Sequence, residues 1–171
     1  ISLSECGFND NCKFFLSRWL DTTKCALLFA KNVLFVEGIA EMLLLPELAK
    51  VYFADLIRQG RLKSELNTLE DFGISIINIG GVYFDYFMQI FGGYTIKKEG
   101  ELTRCASINV RCAGITDNDP PKDTAPIKYA EGDNRLLFMI KQLEQNSKNA
   151  RLFTNLKTFE YDLALETGNI V

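Results

Sequence analysis

The chain contains no histidine. That absence removes the usual general base of serine and cysteine hydrolases and the commonest metal ligand. Its five cysteines, at 6, 12, 25, 105 and 112, are odd in number and form no C-x-x-C pair. The common zinc frameworks are therefore excluded, and reduced thiols in a cytoplasmic protein are expected. Apolar runs are short, as at 43–45 and 74–77, against the roughly 20 residues needed to cross a bilayer, so no membrane span is expected. The opening Ile1-Ser2-Leu3-Ser4 has no basic or apolar signal region, and both termini are expected to be cut edges of a longer protein. Net positive charge is also lacking. A net charge of −3 argues against binding nucleic acid by bulk potential alone, and without histidine any chemistry falls to carboxylates, lysine, tyrosine or metal.

A length of 171 residues with 47% hydrophobic content supports one buried core. Apolar positions from Phe14 to Phe29 predict an entry helical segment over 1–30, with a turn or cap at Asp21-Thr22-Thr23. Val33 to Val36 reads as a buried strand, followed by a helix over 39–59 that Pro46 kinks or divides. A second strand at 74–79 leads through Gly80-Gly81 to an aromatic helix over 82–91, and Lys97 to Glu101 reads as a solvated turn. A third strand over 107–116 ends in Asp117-Asn118-Asp119, before a loop holding three of the four prolines. A helix over 134–146, a strand over 151–154 and a closing helix over 158–167 complete the pattern. Alternating strands and helices predict an α/β fold with a mainly parallel sheet, whose ligands sit at the carboxyl ends of the strands.

The acidic residues fall at those ends. Glu37 is the first polar residue after its strand, and Glu41, four residues on, shares its face of the helix start. Acids also favour helix N-termini through the macrodipole, so this pair has an ordinary structural explanation. Asp117 and Asp119 lie two apart, on one side of an extended chain, and Pro120 favours that geometry at Asp119. Their ordinary alternative is a capping or turn pair; as a close pair of like charges they favour an intervening cation. An EF-hand loop fails at Pro121 and Lys122, and no Walker A loop is present. A haloacid-dehalogenase-type phosphohydrolase carries Asp-x-Asp on its first core strand. Here two strand-helix units precede it.

Taken in order, the strand ending in Val36-Glu37-Gly38, the acid at Glu41 and the strand ending in Thr116-Asp117-Asn118-Asp119 resemble the Toprim domain. The residues 29–46, the Ile77-Asn78-Ile79-Gly80-Gly81 turn, Ile115 to Asp119, and Thr158-Phe159-Glu160-Tyr161-Asp162-Leu163-Ala164 resemble the overcoming-lysogenization-defect (OLD) family of ATP-dependent endonucleases. The likeness runs from about Phe15 to Leu165.

The resemblance implies a Toprim/Rossmann-like catalytic domain over 31–171 that cuts DNA with divalent metal, in phage defence, beside a separate N-terminal ATPase domain. ATP would enter only through that domain, and self-association is a further expectation. Glu37 would be the metal-binding or general-base acid, Glu41 a ligand or outer-shell acid, and Asp117 and Asp119 the central ligand pair. Glu160 would be a further metal-binding acid, Asp162 a weaker candidate, and the Thr116 hydroxyl a neighbour of the site. Oxygen ligands without histidine suit Mg²⁺ or Mn²⁺, two ions being expected. The family's catalytic lysine would lie beyond residue 171, since Lys157 stands on the wrong side of the motif, and this fragment is expected to be a catalytically incomplete Mg²⁺- or Mn²⁺-dependent endodeoxyribonuclease. Lys122, Lys128 and Lys141 read as solvated surface, and Tyr83, Phe84, Tyr86 and Phe87 as core before base-stacking groups. A non-catalytic Toprim-like scaffold and a phosphohydrolase are the competing readings.

Overall fold

Strand formation follows from where the apolar residues can be buried. In the computed structural model, which describes residues 9–19, 29–80, 84–92, 95–98, 101–104, 107–118 and 147–166, strand β1 is Asn32–Val36. Helix α1 (Asp10–Trp19) precedes it, and helix α2 (Ile39–Arg58) follows. Then come β2 (Ile74–Asn78), α3 (Phe84–Gly92), the strands β3 (Thr95–Lys98) and β4 (Glu101–Arg104), β5 (Arg111–Thr116), β6 (Ala150–Thr154) and α4 (Phe159–Leu165). Pro46 lies inside α2 without dividing it. The expected turn at Lys97 to Glu101 is instead flanked by an antiparallel pair, with Lys97 opposite Leu102 and Lys98 opposite Glu101. Residues 107–110 precede β5 and are not strand, and the helix expected over 134–146 lies outside the described residues.

The main sheet runs β2-β1-β5-β6, all neighbours parallel. The chain goes from β1 to β2 on one side, then returns across β1 to lay β5 on the other. Strand order therefore reverses between β1 and β5, which makes their carboxyl ends the topological switch point where α/β sheets bind ligands.

One face of the sheet carries the aromatic core. Phe35, Phe84, Phe87 and Phe91 are all at most 1% exposed. Phe35 meets the rings of Phe87 and Phe91 at 5.6 and 5.8 Å, pairs worth about 0.5–1.5 kcal/mol each beyond burial. Leu16 and Cys12 of α1 close this layer over α3. The phenylalanines of α3 thus belong to the core and are closed to base stacking. Cys12 and Cys112 are buried, and burial pushes the Cys112 thiol up to about 12. Among the described residues no helix is long and apolar enough to cross a membrane.

Candidate metal centre

Parallel pairing sets Val36 beside Ile115. The residues that follow, Glu37 after β1 and Thr116-Asp117 at the end of β5, must then meet at one edge. They do: the Thr116 hydroxyl donates to Glu37 Oε1, and the Asp117 backbone N–H donates to the same oxygen at 3.4 Å. Thr116 is buried, so its hydroxyl is committed to this contact and not to solvent.

Asp117 is held from the other side. Its Oδ1 accepts from Asn155 Nδ2 at 2.8 Å and from the Phe159 N–H, at the start of α4, at 3.0 Å. Asn155 was not among the residues expected at the site. Its signal is positional: Thr116 and Thr154 are register partners, so Asp117 and Asn155 occupy matching positions past the ends of neighbouring strands. Replacing Asn155 by alanine is expected to weaken Mn²⁺ binding by about 10-fold, the usual effect of removing a group that orients a ligand. Calorimetric titration checks this; unchanged affinity would show that Phe159 alone orients the carboxylate.

Glu41 is the unusual group. Its side chain is 6% exposed, in the first turn of α2, and among the described residues it has no hydrogen-bond or ion-pair partner. Glutamate is rarely so buried unless paired, and a buried acceptor without a donor calls for an ion or water. Its Oε2 folds back over the turn after β1, where a Cβ on Gly38 would lie 3.0 Å away. Glycine at 38 leaves the carboxylate that space.

The remaining expected residues divide. Glu160 is exposed, on the first turn of α4 beside Phe159. Asp119, Lys122, Lys128 and Lys141 lie outside the described residues. Asp162 is half-buried and turned to its own loop: both its oxygens accept the Leu156 N–H, at 3.1 and 3.0 Å. With the Thr158 side chain capping the Tyr161 N–H, it braces the turn that carries Asn155. Asp162→Ala is expected to lower stability by about 1–2 kcal/mol while leaving Mn²⁺ affinity near wild type. A denaturant melt read beside calorimetry separates the two. Among the described residues no three acids converge closely enough to hold an ion.

A comparison with protein families covers the same segment of the chain. The family model for the overcoming lysogenization defect protein-like TOPRIM domain matches residues 28–119, more than half of the chain. The chain belongs to this family. The matched span of this OLD-like TOPRIM domain begins just before β1 and ends at Asp119, so it takes in Glu37, Glu41 and Asp117 together. Among solved structures, the C-terminal region of the Xanthomonas campestris pv. campestris OLD protein, phased with platinum, is 21% identical with a TM-score of 0.41. That match covers 81% of the OLD-like chain and 56% of the solved one, so the chain spans little more than half of that region's length. No curated protein matches it.

Proposed function

We propose that this chain is the metal-dependent endonuclease domain of an OLD-like protein, hydrolysing DNA phosphodiester bonds with two divalent ions, Mg²⁺ or Mn²⁺. The observation that carries the reading is the buried Glu41 carboxylate, without a partner among the described residues, beside the turn that presents Glu37. A cation there offsets a burial cost that nothing else among the described residues relieves. In kind the donors suit such ions, since Glu37, Glu41 and Asp117 offer hard oxygens; no three acids converge among the described residues, and Asp119 and Glu160 are proposed to complete the set.

When bound, the ions supply an activated water and charge stabilisation for the leaving oxygen of an in-line displacement. The chain's own part is orientation and proton transfer. Thr116 and the Asp117 N–H fix Glu37 Oε1, and Asn155 and the Phe159 N–H fix Asp117 Oδ1. These donors set both carboxylates before substrate arrives, so no reorganisation is needed during reaction. Glu37 takes the proton of the attacking water. One P–O bond forms from that water and another breaks, leaving a 5′- or 3′-phosphate and a hydroxyl.

Residues 31–171 are proposed as the catalytic domain, 1–30 as its entry segment, and an ATPase domain of the full protein as its partner. The scaffold reading draws on one observation, the lack of three convergent acids among the described residues. A supercoiled-plasmid assay with Mg²⁺ or Mn²⁺, on a chain extended past Val171 so that the family's lysine is supplied, decides between them. Nicked or linear product that is absent with EDTA is expected. A protein that binds Mn²⁺ yet leaves plasmid intact supports the scaffold, and turnover of a small phosphate ester alone supports a phosphohydrolase.

A further inference from the structure

The sheet has a second face, turned away from the aromatic core. Side chains alternate along a strand, so Leu34 of β1, Arg111 of β5, and Arg151 and Phe153 of β6 share that face. A trough of about 660 Å³ opens there. Its basic end lies at the amino ends of the strands, where Asn32, Ile74 and Arg111 begin β1, β2 and β5, and it runs along β6 to Phe153, the register partner of Ile115. At about 3.3 Å per strand residue, Arg111 stands on the order of 15–20 Å from the acids and Phe153 on the order of 7 Å.

Its charge is of one sign. Arg111, Lys148 and Arg151 line it, all exposed, and among the described residues no acid does. In a chain of net charge −3 that is a local reversal. Among the described residues none of these cations has an ion-pair partner; the pairs there lie within α1 and α2. Arg151 is held by carbonyls instead, Nη1 donating to Ser147 O at 2.8 Å and to Ala150 O at 2.7 Å. Beside it Phe153 is 56% exposed, a large ring left in water on an otherwise basic surface.

Fixed cations next to an exposed ring are the parts that hold an unpaired nucleotide chain: phosphate on the cations, a base on the ring. A duplex would meet the cations but could offer no base face to Phe153. We propose that this trough binds a single strand of nucleic acid, its phosphates on Arg111, Lys148 and Arg151 and one base stacked on Phe153. The cations stand at the opposite ends of the strands from the acids, and the site needs no metal.

The test is fluorescence anisotropy of a fluorescein-labelled oligothymidylate with the full chain, at low salt and in EDTA. Wild type is expected to bind. Arg111→Glu and Lys148→Glu, at exposed positions, are expected each to weaken binding about 10-fold or more and to lower the salt slope by about 0.7 per lost contact. Phe153→Ala is expected to weaken it at least about 5-fold, the low end of what a stacked base contributes. Circular dichroism confirms that the variants fold. Absence of wild-type binding, wild-type affinity in both charge variants, equal affinity for a blunt duplex that ignores Phe153→Ala, or displacement by polyglutamate as readily as by unlabelled oligothymidylate would each overturn the proposal.

Discussion

Asp117→Asn is expected to weaken Mn²⁺ binding by at least about 100-fold and to abolish plasmid cleavage while leaving the fold nearly intact. Asparagine keeps an oxygen for the Asn155 and Phe159 donors, so the contacts at 2.8 and 3.0 Å survive, but it removes the negative charge. Asp117→Ala goes further. It strands two donors at a half-buried position, which costs about 1–3 kcal/mol in addition to the lost affinity. The pair of variants therefore separates the two duties of one side chain. Calorimetry and a denaturant melt on both are required, and Mn²⁺ affinity retained in Asp117→Asn would remove Asp117 from the metal centre.

The second large effect lies three residues earlier. A Cβ added at Gly114 would stand 2.7 Å from Leu152 Cδ1 and 2.7 and 2.8 Å from Phe84 Cδ1 and Cε1. Leu152 can rotate its terminal methyl, but the Phe84 ring is 1% exposed and packed among α3 neighbours. Gly114→Ala is therefore expected to cost about 1–3 kcal/mol through overpacking. For a chain of this size that lowers the melting temperature by roughly 2–4 °C for each kcal/mol. Because β5 carries Thr116 and Asp117, any outward shift of the strand also loosens their contacts with Glu37. A thermal scan matching wild type would mean the ring yields freely.

The elements legible from sequence were those whose apolar residues are contiguous or periodic. Val33 to Val36 gave β1 to within one residue of its observed start at Asn32, and the 39–59 periodicity gave α2 to within one residue at its end. The helix at Pro46 continues because proline removes only one internal hydrogen bond, which the length of α2 can absorb. The strands at 95–98 and 101–104 were missed, since lysine and glutamate are common in solvated turns and the pairing that makes these residues strands is mutual. Strand β5 was drawn too long at its start, where Ile108 and Val110 are apolar because they pack on the core without joining the ladder.

At the acid edge, sequence by itself determined which residue types stand at the carboxyl ends of which strands: Glu37 and Glu41 after one, Asp117 and Asp119 after another, with oxygen ligands and no histidine to choose among. That much is local, because strand ends and helix starts follow from patterns a few residues long. Only the tertiary structure decided that β5 lies next to β1, that Asn155 and not Asp162 reaches Asp117, and that Glu41 is buried without a partner among the described residues. Strand order, burial and side-chain pairing join residues up to 80 positions apart, as in Asp117 and Glu37, and no local propensity specifies a contact of that span.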